Sequence, residues 1–255
     1  MSVAFRITRA HKSVGDLAGH LCDVFEKTLK NYCGLFVRVI DTKIYLVHQT
    51  ARDFLIQGSL AGQGNWQYTF CPKDSHFIIA DICISYLSRE EFAGIPLAID
   101  SDGKVLGKAV NVYLQKYPFL DYVVRHWASH FRDSQDRGME LFEFARLICE
   151  AGPGSFLTWF QVYWFNNRKC YIFPKDFTYL MTASWLGLGI VVDRLLEEEG
   201  EKVNALSEQY CTAVNVVALR GDEDITRKLL HKNVQAYIGG NGFNILHVKK
   251  PLGLK

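Results

Sequence analysis

His126 and His130 stand four residues apart in a stretch that reads as helix, so their imidazoles fall one turn apart on one face. Zinc proteases use that spacing to place two nitrogen ligands on a metal, with a glutamate beside the first histidine as base. Here position 127 is Trp127, and no third ligand stands at a recognisable spacing. The pair therefore reads as surface histidines on a helix that turns Trp127 to the core, and no metal is expected. Asp100-Ser101-Asp102-Gly103-Lys104 has the start of a calcium loop, but its glycine comes two places early and Asn111 replaces the bidentate glutamate. It reads as a turn. A Gly-x-x-x-x-Gly-Lys-Ser/Thr phosphate loop and a Gly-x-Ser-x-Gly elbow are both missing. Gly187-Leu188-Gly189 lacks a third glycine and reads as packing, and Gly152-Pro153-Gly154-Ser155 reads as a helix start.

His48 stands at the end of a β-rich run. Read locally, it closes a strand with its ring hydrogen-bonded nearby. An isolated imidazole does not hold a nucleotide without a phosphate loop, and this sequence lacks one. Arg52 and Asp53 read as helix-terminus charges.

The 255 residues suffice for one large or two to three small domains. Apolar residues make up 49% and charged residues 22%, the balance of a packed protein, and a net charge of +2 argues for neither nucleic acid nor an anionic membrane. No window is long and apolar enough to span a bilayer, and Met1 to Thr8 has no secretory pattern. Seven scattered cysteines without a Cys-x-x-Cys pair fit reduced thiols. The expected location is cytoplasmic.

Leu17, Leu21, Val24, Phe25 and Leu29 predict an amphipathic helix over Asp16 to Lys30, stopped at Asn31-Tyr32-Cys33-Gly34. Two β-rich runs follow, Leu35 to Ile40 and Lys43 to His48, joined across Asp41-Thr42, with a helix from Ala51 onward. Gly58 to Asn65 is a small-residue linker. Next comes a helix capped by Asp74 and carrying Ile78, Ile79, Ile82, Cys83, Tyr86 and Leu87. Pro96 and the Asp100 turn mark a loop. Pro118 opens a helix with Leu120, Val123, Val124, Trp127 and Phe131 inward. Further helices are expected over Glu140 to Glu150 and over the aromatic run Phe156 to Phe165. From Phe177 a repeat begins: Thr178, Gly187, Leu195 and Leu196 recur as Thr212, Gly221, Leu229 and Leu230, each shifted by 34 residues. In each copy a threonine opens a helix, a glycine reverses the chain, and a second helix ends in Leu-Leu.

Leu46-Val47-His48-Gln49-Thr50-Ala51-Arg52-Asp53-Phe54-Leu55 resembles the end of the winged-helix subdomain that follows the nucleotide-binding core of NACHT and plant-type immune receptors. That subdomain carries a Met-His-Asp-Leu-x-Arg-Asp-like run whose histidine touches the diphosphate of ADP, and His48 stands in its place. Cys33-Gly34-Leu35-Phe36-Val37-Arg38-Val39-Ile40 is similar to the GPI-inositol-deacylase-type winged helix of fungal multidomain proteins, without any sign of deacylase chemistry. Cys71-Pro72-Lys73-Asp74-Ser75-His76, Asp121-Tyr122 and His126-Trp127 resemble the helical connector between NACHT modules and ankyrin arrays in fungal proteins. The 34-residue spacing is close to the ankyrin period of about 33. Val203-Asn204-Ala205 resembles an inter-repeat segment, and Gly239-Gly240-Asn241-Gly242 with Leu246-His247 resembles the start of a third unit. Neither full copy has the Thr-Pro-Leu-His string. The resemblance runs from about His11 to His247.

It implies a mainly α chain in three parts: a small winged-helix module (helix plus β-hairpin) over 1–60, a helical connector over 61–172, and a short ankyrin-type α-solenoid over 173–255. The implied function is protein interaction and signal coupling in an NLR-like protein, without catalysis. A protein partner is expected on the ankyrin surface and an upstream NACHT-type module at the other end, with no cofactor, nucleic acid or membrane. The winged helix could suggest DNA, yet Lys27 and Lys30 are offset by Asp16, Asp23 and Glu26, and the wing's Arg38 and Lys43 stand beside Asp41. The off-pattern ends, Met1 to Ala10 and Lys249 to Lys255, favour a truncated product. The competing class is an enzyme with an unrecognised hydrolytic or zinc-dependent site.

Overall fold

The computed structural model describes Ile7, residues 23–34, 36–41, 43–56, 70–93, 96–150, 155–168, 172–198 and 203–232, and Val234. These residues are mainly α-helical, with one small antiparallel hairpin. Among them, no helix is long and apolar enough to cross a membrane.

Helix α1 (Asp23–Cys33) buries Leu29 and half-buries Phe25, as their four-residue step requires. The part of the expected helix before Asp23 lies outside the described residues. Gly34 follows because a Cβ there would collide with the Lys30 carbonyl oxygen. Strands β1 (Val37–Ile40) and β2 (Lys43–Leu46) pair with Val37 opposite Leu46 and Ile40 opposite Lys43. No glycine is needed at the turn: Asp41 takes φ 47°, a left-handed conformation that aspartate tolerates. The strands are shorter than the β-rich runs. Val47 still donates to the Phe36 carbonyl (2.9 Å), and the chain then turns at His48 into α2 (Gln49–Ile56). The Gly58 linker lies outside the described residues.

Helix α3 (Pro72–Leu87) starts two residues before the expected Asp74 cap. Pro72 supplies a pre-set φ at the first turn, and Asp74 instead pairs with Arg137 at 2.6 Å. Cys83, Tyr86 and Leu87 are buried as their pattern demands, whereas Ile78 is exposed and the inward face runs through Ala80 and Ile84. After a short 3₁₀ turn (Glu90–Phe92) come α4 (Gly107–Lys116) and α5 (Pro118–Asp133). Leu120, Val123, Val124, Trp127 and Phe131 of α5 are all buried. The expected Glu140–Glu150 helix divides into a 3₁₀ segment (Gln135–Leu141) and α6 (Phe142–Cys149), followed by α7 (Ser155–Arg168). Helix α5 packs between α3 and α7. Trp127 meets Trp159 edge-on at 5.6 Å, and the Trp159 indole donates to the Ile148 carbonyl at 2.7 Å.

The 34-residue shift appears as two helical hairpins. Thr178 opens α8 (Tyr179–Leu186) by accepting from the Met181 N–H, Gly187 reverses the chain at φ 74°, and α9 (Gly189–Glu198) returns. Thr212 opens α10 (Ala213–Arg220), Gly221 reverses at φ 73°, and α11 (Glu223–His231) returns. Like helices stack, α8 on α10 and α9 on α11. Gly187-Leu188-Gly189 is this reversal. The segment with Gly239 to His247 lies outside the described residues.

An aromatic seam joins α7 to this stack. Trp164 lies 4.8 Å from Trp185 and 5.6 Å from Tyr210, whose hydroxyl donates to the Ile172 carbonyl at 2.7 Å. Asp176 then accepts from the Ser207 hydroxyl and the Glu208 N–H, both at 2.7 Å. One hydrophobic core runs from Ala80 of α3 through Trp159 to Val216, Leu229 and Val234.

Candidate functional site

Tyr122, His126 and His130 follow one another at four-residue steps along α5, which lines their rings on one face. Packing of α3 on α5 brings His76 to this stripe, 54 residues away in sequence. His76 Nδ1 stands 2.8 Å from His130 Nδ1, and His130 Nε2 stands 2.9 Å from the Tyr122 hydroxyl. Asp133 Oδ2 lies 3.9 Å from His76 Nδ1, and the His126 ring tilts against Tyr122 at 4.9 Å. His76 and His130 are half-buried, while Tyr122, His126 and Asp133 are exposed.

These contacts determine what the group can do. A neutral imidazole has one donor and one acceptor nitrogen, so both nitrogens of His130 are engaged in a chain from Tyr122 to His76. Burial holds His130 below the usual imidazole range, with the neighbouring His76 and His126 adding to the effect and Asp133 opposing it. Burial likewise raises the Tyr122 phenol, so it is not a phenolate nucleophile at neutral pH. The site can hold and pass a proton.

The helical pair singled out by spacing behaves differently from a chelate. His126 and His130 have ring centroids 6.5 Å apart, and the nitrogens of His130 face His76 and Tyr122. Among the described residues, no three histidine, cysteine or acidic side chains are placed to hold a metal ion. The Asp100 loop is a closed turn whose carboxylate accepts from the Asp102 and Lys104 N–H groups at 2.9 and 2.8 Å. No family model, curated protein or solved structure matches the chain.

His48 lies just past β2 and is exposed. Its Nδ1 accepts the Thr50 N–H at 3.2 Å and sits 3.0 Å from the Thr50 hydroxyl. The ring thereby covers one of the free N–H groups at the start of α2, a capping contact more often made by a serine or aspartate oxygen. With Nδ1 as acceptor, Nε2 carries the proton and is the nitrogen left for any other ligand. Asp53 accepts from Gln49 Nε2 at 3.3 Å and lies 3.8 Å from Arg52, a surface arrangement within α2.

Sequence spacing could find Tyr122, His126 and His130 together. Nothing in the spacing could find His76, because its place beside them depends on the packing of two helices.

Proposed function

We propose that this chain is the protein-binding, signal-coupling portion of a NACHT/ankyrin-type receptor, with no catalysis of its own. The observation that carries the reading is the pair of helical hairpins in 34-residue register, opened at Thr178 and Thr212 and reversed at Gly187 and Gly221. A period near 33 residues with like helices stacked is the organisation of ankyrin arrays. Such arrays bind proteins on extended surfaces, and the exposed Leu206 and Leu230 are apolar side chains that a partner would cover.

At the other end, helix α1, the β1–β2 hairpin and α2 follow winged-helix order. In this reading His48 stands for the receptor histidine that reaches ADP; with Nδ1 accepting the Thr50 N–H, its Nε2–H is a donor suited to phosphate. In this reading the connector transmits partner binding from the stack toward a nucleotide-binding module joined upstream.

The test is an added repeat. A consensus ankyrin unit joined after Val234 in the register of Thr178 and Thr212 should extend the stack and raise Tm by several degrees, since array stability grows with each interface. The same unit joined with a two-residue slip should not. Equal Tm changes for the two fusions would sink the ankyrin reading.

A further inference from the structure

We infer that His76 and His130 form a one-proton latch across the α3–α5 packing, closed while the pair holds at most one added proton and opened by the second. The argument starts from two Nδ1 atoms that face each other at 2.8 Å. At that distance one must donate and the other accept. Two neutral arrangements satisfy every ring contact. Either Tyr122 donates to His130 Nε2 and His130 Nδ1–H donates to His76, or His76 Nδ1–H donates to His130 and His130 Nε2–H donates to Tyr122.

One proton taken from water converts either arrangement into an imidazolium hydrogen-bonded to an imidazole. Its donor count still fits: one Nδ1–H points at one Nδ1 lone pair, and His130 Nε2–H points at the Tyr122 oxygen. Asp133, 3.9 Å from His76 Nδ1, favours this cation. A second proton leaves N–H facing N–H and two like charges in contact, so the rings must separate. In the unfolded chain both imidazoles take up protons near the ordinary value of about 6.5.

Several nearby charges are engaged elsewhere. On α3, Lys73 reaches Asp136 and Asp74 reaches Arg137 on the 3₁₀ segment, where Glu140 also pairs with Arg137. On α5, Asp121 pairs with Arg125 and accepts from Asn166 of α7, and Arg132 is turned to the Leu186 carbonyl. His126 adds a third imidazole beside Tyr122. Asp133 stands 3.9 Å from His76 Nδ1, and one carboxylate balances one proton rather than two.

The test is a pH titration of the imidazole nitrogens of the full chain by NMR. The expected result is two steps for His76 and His130 more than one pH unit apart, the second coinciding with accelerated amide exchange in α3. Independent titration of both rings near 6.5 would overturn the latch. Folding constants measured against pH provide the second reading. Below the first step the unfolded chain binds one more proton than the folded chain, so the constant should fall about tenfold per pH unit from this pair. His76→Asn should remove that component of the slope, and His126→Asn should retain it. An unchanged slope in His76→Asn would likewise overturn the latch.

Discussion

Arg132 and Arg220 grip the same helix end. Arg132, in the last turn of α5, donates to the Leu186 carbonyl, and Arg220, the last residue of α10, donates to the Trp185 carbonyl. The final carbonyls of α8 lack partners within their own helix, and two guanidinium groups supply donors and favourable charge there. The first helical hairpin is thereby tied at one point to α5 before it and to the second hairpin after it.

Gly187 lies beside both side chains. It holds φ 74°, and a Cβ there would come within 3.3 Å of Arg132 Nη1 and 3.6 Å of Arg220 Nη2. Gly187→Ala should cost about 1–2 kcal/mol from the left-handed backbone alone. Crowding of Arg132 should add to that. Urea denaturation measures the loss. An unchanged midpoint would mean that the reversal relaxes freely and that the arginine clamp is loose.

Burial makes the chain vulnerable to alkali in a way that can be read on its thiols. Burial raises Cys83 from 9.0 to about 12 and Tyr113 from 10.0 to about 12, and it holds fully buried Cys149 far above its usual value. Each raised group favours its neutral form in the fold. Its stabilisation is complete below the unfolded pKa and is lost as pH rises through the folded one, so the window is pH 9 to about 12. A thiol reagent at pH 8 should label exposed Cys71 promptly and leave Cys83 and Cys149 untouched. Between pH 9 and 12, their labelling should follow the loss of helical circular dichroism. Labelling of Cys83 ahead of unfolding would show that the α3–α5 interior opens locally.

The elements most legible in the sequence were those with a single dominant cause. The inward face of α5 follows from Leu120, Val123, Val124, Trp127 and Phe131, and the two hairpins follow from threonine starts and glycine reversals 34 residues apart. Misreadings arose where two local causes competed. Asp74 has a capping side chain, but Pro72 starts the helix and Arg137 takes the carboxylate. The β-rich run through His48 has strand propensity, yet the His48 ring caps α2 and ends the strand at Leu46. The histidine cluster was half legible, since the α5 stripe is a matter of helical spacing and His76 is a matter of tertiary packing.

His48 separates structural from switching behaviour. Its Nδ1 contact with the Thr50 N–H means that His48→Ala should cost no more than about 1 kcal/mol, the usual loss of a helix cap. His48→Asn should recover most of it, because an asparagine oxygen accepts the same N–H. The chain alone should show no saturable ATP or ADP binding in the micromolar range, because the phosphate loop is missing from it. Joined to a NACHT-type module, both variants should release ADP faster than the parent, Asn included, since neither keeps the Nε2–H donor. Micromolar binding by the isolated chain, or normal ADP retention by the Asn variant, would refute the proposed role.

Hydrogen exchange should rank the elements by how they are anchored. The α5 segment from Leu120 to Trp127 lies between α3 and α7 and should exchange slowest, near the global limit. An isolated pair of repeats would be expected to open together beyond Val203, because roughly three units are needed for a self-sufficient stack. Here the second unit is tied back by Tyr210 to the Ile172 carbonyl, by Asp176 to Ser207 and Glu208, and by Arg220 to α8. Helix α10 buries Ala213 to Val217 without interruption, whereas α11 buries Ile225 and Leu229 and holds α9 through the Lys228–Asp193 pair at 2.5 Å. Protection should therefore fall in the order α5, α8, α10, α11, with the steepest drop after Arg220. Tyr210→Phe removes the hydroxyl tie but keeps the ring against Trp164, so it should weaken α10 selectively and leave α5 unchanged. Equal loss in α5 and α10 would show that the α5 region and the two hairpins open as one unit.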